Sequence, residues 1–332
     1  MLFRSVGLAA IVVLLGSDWS SAADFGLKLP NGLQEDAAQI PDDNPITPEK
    51  VALGKKFFWD TRWSASGKVA CVSCHRPDHG WSDPRRFSTD FAGKPTPRHA
   101  PTIVNRLFSD QQHWSGLRVS LEEQAGKDVN KTDRKVMEQL GTVPDYRREF
   151  RAVFGRDFDP DGVAQALATY VRTILSGDSP YDRFQAGDRG AMSESAQNGL
   201  RLFEGKAMCS RCHAGFNFTG EGYRNIGVGM AGPNPDLGRY SVTGDDSDRG
   251  AFKTPTLRDV AKRGPYMHDG SAKTLAEVVE YYDRGGVKNP WLSSDMTPLG
   301  LTAQERADLV EFMKALTGRI DPEVSRPPDL PQ

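Results

Sequence analysis

The chain has 332 residues, a formal net charge of −2 and 26% charged residues, with 33 glycines, 22 prolines and four cysteines. A near-neutral balance without a basic block gives no electrostatic footprint for nucleic acid, so none is expected as a partner. The length left after a leader suits two domains of about 150 residues each.

The chain opens with Arg4, an apolar run from Val6 to Leu15, and the small residues Ser20, Ser21, Ala22 and Ala23. This reads as a secretory signal over residues 1–23, because the run is too short to span a bilayer. No later segment reaches about 18 apolar residues, so no membrane span is expected once the signal is removed.

A helix is predicted within 46–60, where Thr47 is the N-cap, Pro48 stands at N1, and Val51, Leu53, Phe57 and Phe58 form an apolar face. It leads into Cys71-Val-Ser-Cys74-His75. The stretch 76–101, rich in Gly, Pro and Asp, reads as a long loop, and 161–177 has helical spacing. A second helix, capped by Ser193 or Ser195 with Leu200, Leu202 and Phe203 on its apolar side, leads into Cys209-Ser-Arg-Cys212-His213. A second loop covers 214–256. Two further helices open with the capping boxes Thr274/Glu277 and Thr302/Glu305 and stop at glycine, and almost no strand is visible. Helix then Cys-x-x-Cys-His, twice, suggests an internal duplication.

All four cysteines lie in the two motifs, which leaves three chemistries: redox dithiols, one four-thiolate metal site, or two covalent haem attachments. A haem c site needs two thiols for the vinyl groups and an adjacent imidazole for iron, and each motif supplies all three. A dithiol pair needs no such histidine, and zinc knuckles normally lie far closer than positions 71 and 209. Two c-type haems are therefore expected, with His75 and His213 as proximal ligands.

The segments "LGKKFFWDTRWSASGKVACVSCH", "HAPTIVN", "HWSG", "LEEQA" and "FKTPTLRDVAKRGPYMHDGSAKTLAEVVEYYDRGG" resemble the bacterial di-haem cytochrome c peroxidase family, including its MauG-type branch. The resemblance runs from about residue 45 to 318. It implies a mainly α fold: two cytochrome c-like helical domains, each with one covalent haem, and long cofactor-wrapping loops. The domains would be 24–180 with the peroxidatic haem and 181–320 with the electron-transfer haem, and then a tail over 321–332.

On the helix from Thr274, Leu275, Val278, Val279 and Tyr282 share the buried face, while Tyr281 points elsewhere. Met230, Met267 and Met296 are the other candidates for the second iron. By resemblance, the position fourteen residues after His268 holds the axial ligand of the second haem: Met in electron-transfer peroxidases, Tyr in MauG-type enzymes. Here it is Tyr282. The resemblance also assigns Trp114 between the haems, Gln124 as the distal amide and Asp133, reached across a one-residue deletion, as the acid–base carboxylate. Glu122 and Glu123 are the alternatives. His79 reads as a distal cap or a loop residue, and His113 as a polar variant of a family Phe. A calcium ion would be bound by the carbonyls of Arg263 and Pro265 and by position 99, where His99 replaces an Asn. Imidazole is a poor calcium ligand, which weakens that expectation.

The function this implies is a periplasmic hydroperoxidase of MauG type, using hydrogen peroxide to oxidise a protein substrate or electron donor. The alternatives are a cytochrome c peroxidase fed by a small cytochrome c or cupredoxin, and a non-enzymatic di-haem electron carrier.

Overall fold

Thr47 Oγ accepts a hydrogen bond from Lys50 N at 3.2 Å, and with Pro48 at N1 this starts α1 (Pro48–Trp59) as the sequence predicts. The computed structural model describes residues 26–64 and 66–332, so the leader read over 1–23 lies outside the described residues. The first half continues with α2 (Leu121–Val129), α3 (Arg134–Thr142), α4 (Pro144–Phe154), α5 (Pro160–Arg172) and α6 (Pro180–Gln185). The second half contributes α7 (Glu194–Glu204), α8 (Tyr240–Thr243), α9 (Leu275–Asp283), α10 (Ala303–Ala315) and α11 (Pro322–Ser325). Among the described residues the strands are β1 (Tyr223–Arg224) and β2 (Phe252–Lys253), antiparallel, with Tyr223 opposite Lys253. No described helix is long and apolar enough to cross a membrane.

The helix expected over 161–177 ends at Arg172. Asn105 captures the residues beyond it: its Oδ1 accepts from Ser176 N at 2.8 Å and its own N donates to the Ile174 carbonyl at 2.9 Å. The segment is pulled into a buried turn before a further helical residue can form.

Two apolar cores result. One gathers Leu53, Phe57 and Phe58 of α1 with Tyr146, Phe150, Leu167 and Tyr170. The other gathers Leu200 and Phe203 of α7 with Phe218, Leu309 and Phe312. The N-terminal segment adds Ala38, Ile40 and Ile46 to a smaller cluster with Leu107 and Leu175. The C-terminal segment straps back over the first unit, where Tyr170 Oη donates to the Val324 carbonyl at 2.7 Å and Arg62 Nη2 to the Pro331 carbonyl at 2.8 Å.

Each core depends on one close helix crossing. A Cβ at Gly54 would overlap the Ala166 carbonyl where α1 meets α5, and a Cβ at Gly199 would overlap the Asp308 carbonyl where α7 meets α10. Backbone cannot step aside as a flexible side chain can. Gly54→Ala and Gly199→Ala are each expected to destabilise their unit by about 1–3 kcal/mol or more, read by chemical denaturation of the holoprotein. Gly190→Ala is the control, since its Cβ would meet only Asp188 Oδ1 at an ordinary 3.6 Å. Equal stability of all three variants would show that the crossings can relax.

The two units also repeat a longer stretch without a gap. An offset of 154 positions takes Pro101 to Pro255, Asn105 to Asp259, Gly116 to Gly270 and Ser120 to Thr274. The backbone repeats with it: Asn105 and Asp259 are both left-handed, with φ of 58° and 56°, and His113 and Met267 both have φ of 72°. The bridges Gln112–Arg118 and Tyr266–Ala272 close the same turn in each copy.

Candidate functional site

Cys71 and Cys209 each begin a single 3-10 turn. His75 N donates to the Cys71 carbonyl at 3.0 Å and His213 N to the Cys209 carbonyl at 2.9 Å, which winds each imidazole back over its cysteine pair. His75 Nδ1 lies 3.4 Å from the Trp81 carbonyl and His213 Nδ1 2.9 Å from the Phe218 carbonyl. With Nδ1–H donating there, Nε2 keeps its lone pair for a metal. Burial lowers the pKa of both rings, that of His213 to about 4, and so holds them in the neutral, ligating form. Burial also pushes the Cys71 and Cys209 thiols up to about 12, the opposite of what a redox dithiol needs. Among the described residues no group of three or more His, Cys, Asp or Glu side chains could hold a metal ion by itself.

Each turn borders a cavity. The first is lined by Cys71, His75, Phe58, Leu121, Gln124 and Asp128, the second by Cys209, Cys212, His213, Leu275, Val279 and Tyr282. They meet at Trp114, Lys253, Pro101, Thr102 and Pro255, which line both. Buried cations face these largely apolar spaces. Lys253 is 5% exposed, its Nζ lies 2.6 Å from Glu221 Oε2 and has no other polar partner among the described residues, and burial, with Arg106 next, brings its pKa down to about 8. Arg263 lines the second cavity and is brought down by burial to about 10, and Arg106, in the first, is lowered by burial as well. Cations under-compensated in an apolar cavity suit a ligand that is flat, greasy and anionic at one edge. A haem with its two propionates fits that description.

Trp114 lies where the cavities meet, its Nε1 donating to the His99 carbonyl at 2.7 Å and its ring 6.5 Å from that of His268. Tyr282 lines the second cavity and its hydroxyl has no hydrogen bond to another described residue, whereas Tyr281 Oη donates to the Ile226 carbonyl at 2.8 Å. Burial first, and then Cys209 and Cys212, push the Tyr282 phenol above its usual range, a shift that a nearby cation would reverse. Met267 and Met296 line the same cavity. Met230 does not; it packs instead beside Gly250.

Gln124 lines the first cavity, but the carboxylate beside it is not the expected one. Asp133 is exposed and N-caps α3 by accepting from Lys135 N at 2.8 Å, outside the cavity lining. Asp133 serves instead to start α3. Asp128 stands in the cavity instead, 2.8 Å from Gln124 Nε2. Glu122 is occupied elsewhere, held by Arg172 and Asn44, and Glu123 accepts from Val119 N at 2.9 Å at the start of α2. For Glu122, burial opposes ionisation, but the Arg172 guanidinium outweighs it and lowers the carboxyl's pKa. The signal for Asp128 was available, since Gln124 and Asp128 stand four apart on one helix face.

His79 turns to the Gly264 carbonyl and lines neither cavity, while His113 lines the first. The calcium set does not fit. His99 Nε2 is 3.1 Å from Ser82 Oγ, and its Nδ1 is 3.2 Å and 3.3 Å from the Arg85 and Arg86 carbonyls, so the ring has no nitrogen to offer. Arg263 is buried and its guanidinium donates to the Thr256 carbonyl.

Two mainly helical units, each wrapping a cavity with a Cys-x-x-Cys-His turn, define a protein built from two cytochrome c-like domains. The family model described as di-haem cytochrome c peroxidase matches residues 48–190, and that described as cytochrome c matches residues 196–317. The chain is 41% identical over 300 residues to the methylamine utilization protein MauG of Methylorubrum extorquens, covering 88% of this chain and 84% of that protein. It is 38% identical over 365 residues to the cytochrome-c peroxidase IdrP1 of Denitromonas iodatirespirans, covering 99% and 96%. Among solved structures, a MauG-like protein associated with microbial copper homeostasis superposes with a TM-score of 0.82 at 30% identity, covering 91% and 98%. The chain belongs to the di-haem cytochrome c peroxidase family, to which the MauG proteins belong, and it is an oxidoreductase of that kind. The reading as a non-enzymatic carrier gives way.

Proposed function

We propose that the protein is a periplasmic hydroperoxidase of MauG type, which uses hydrogen peroxide to oxidise a protein substrate or electron donor. The thiols of Cys71 and Cys74 would hold one haem and His75 its iron, within a domain over 24–180. Cys209, Cys212 and His213 would hold the other within 181–320, with Tyr282 as a further ligand to its iron. Haem, when bound, supplies the redox chemistry, accepting the oxidising equivalents of peroxide and moving electrons singly. The chain's residues do the rest. Gln124 presents an amide N–H to orient peroxide in the first cavity, the apolar lining excludes bulk water, and Trp114 bridges the two cavities. Arg106, Lys253 and Arg263 would pair with the propionates.

The observation that carries this reading is the asymmetry of the cavities. The second contains a tyrosine hydroxyl without a hydrogen-bond partner among the described residues, and the first is lined by Gln124, Asp128 and His113, with neither Tyr nor Met. A phenolate is a hard anionic donor that favours oxidised iron, which suits a protein that stores oxidising power. Because Met267 and Met296 also border the second cavity, a peroxidase fed by a small cytochrome c or cupredoxin is the second reading. One equivalent of peroxide, added anaerobically without a donor, separates them. The expected result is oxidising capacity that persists for minutes and is not consumed rapidly by reduced cytochrome c. Fast turnover only after prior reduction of the protein would favour the second reading.

A further inference from the structure

The internal duplication sets α2 against α9 residue by residue, each position 154 before its counterpart. Ser120 and Thr274 cap the two helices through side chains that accept from the Glu123 and Glu277 amides. Leu121 and Leu275 are both buried one residue later. Carried along the helix, the same register sets Asp128 against Tyr282 and Gln124 against Val278. Asp128 lines the first cavity, as Tyr282 lines the second.

The frame is shared and the side chain differs. A carboxylate ends well short of where a phenol oxygen would reach from the same Cα, and here it is also held at the helix. Gln124 Nε2 donates to its Oδ2 at 2.8 Å, and Lys131 Nζ lies 3.0 Å from its Oδ1. Val278, in the place of Gln124, offers Tyr282 no such restraint.

We propose that Asp128 is the proton-carrying residue of the first site, and that carboxylate in place of phenol at this duplicated position keeps that site open while its twin is closed. The proposal rests on the reading of Tyr282 given above. In the net reaction one hydrogen peroxide takes up two electrons from the protein's redox donor or substrate and two protons from solvent. Its O–O bond breaks and two waters leave. Asp128 takes a proton from one peroxide oxygen and delivers it to the other, so the carboxylate is regenerated in each cycle. Gln124 positions the carboxylate through the hydrogen bond already in place.

Two variants of the holoprotein test this. Asp128→Asn preserves the shape and removes the proton acceptor, and it should keep two haems and the parent's ferric spectrum while peroxide consumption slows about 10²-fold or more. Asp128→Tyr restores the phenol of the twin position. It should abolish the high-spin ferric signal, add a second tyrosinate-to-iron Raman band, and weaken cyanide binding at the first site at least about 10²-fold, whatever its activity. Asp128→Tyr that stays high-spin and binds cyanide like the parent overturns the equivalence of the two positions. Asp128→Asn consuming peroxide at the parent rate overturns the proton role, even if Asp128→Tyr fails to retain haem. A parent without any high-spin haem removes the open site and this proposal together, whereas a high-spin parent indifferent to both variants removes the proposal alone.

Discussion

Tyr282→Phe is expected to erase a tyrosinate-to-iron band from the resonance Raman spectrum of the ferric protein and to shorten or abolish the persistence of oxidising power after peroxide. The substitution deletes one oxygen and keeps the ring that lines the second cavity with Leu275 and Val279 of α9, so the loss reads as ligation and not as a cavity. The hydroxyl has no other described hydrogen-bond partner whose loss could confuse the result. Tyr281→Phe is the matched control. It deletes a hydroxyl that donates to the Ile226 carbonyl at 2.8 Å and should leave the band in place. A band retained in Tyr282→Phe, or methionine-type near-infrared absorption in the parent, would move the assignment to Met267 or Met296.

The largest effect on stability is expected at Arg258. Its side chain is fully buried and its Nη1 lies 2.5 Å from Asp182 Oδ2, itself 2% exposed. Its Nε and Nη2 donate to the Phe216 carbonyl at 2.9 Å and 2.6 Å, and Nη2 also reaches the Gly32 carbonyl at 3.1 Å. One guanidinium thus ties the N-terminal segment, the start of α6 and the loop after the second Cys-x-x-Cys-His turn. Removing it leaves a buried carboxylate without its counter-charge, which costs about 3–5 kcal/mol. Arg258→Met should therefore lower the unfolding midpoint of the holoprotein by about 5–15 °C. The double variant Arg258→Met with Asp182→Leu should recover part of that loss, because neither charge is then stranded. A single variant within about 1 kcal/mol of the parent would mean that water reaches Asp182.

Much of this arrangement was legible in the residues. The caps at Thr47, Thr274 and Thr302 mark helices because each hydroxyl takes an amide hydrogen that the first turn cannot satisfy, and all three form. The face carrying Leu275, Val279 and Tyr282 comes from a 3.6-residue period alone. Helices α3 and α4 were not legible, since Leu140, Tyr146 and Phe150 are their only buried positions amid charged residues. Asp133 was expected in the first cavity from a resemblance and not from a helix face, and it caps α3 instead. Counting along one helix face, or by the offset of the duplication, leads to Asp128. Lys253, Arg106 and Arg263 were out of reach as cavity residues, because a cation's burial depends on tertiary contacts and leaves no local pattern.

On the proposed reading, two closely related sites are chemically unequal, one open beside Gln124 and Asp128 and one closed by Tyr282. Low-temperature EPR of the purified ferric holoprotein, with spins counted against haem content, tests it most directly. The expected result is one high-spin ferric centre and one low-spin centre per chain, in equal amounts. Two low-spin centres, or two high-spin centres, would contradict it.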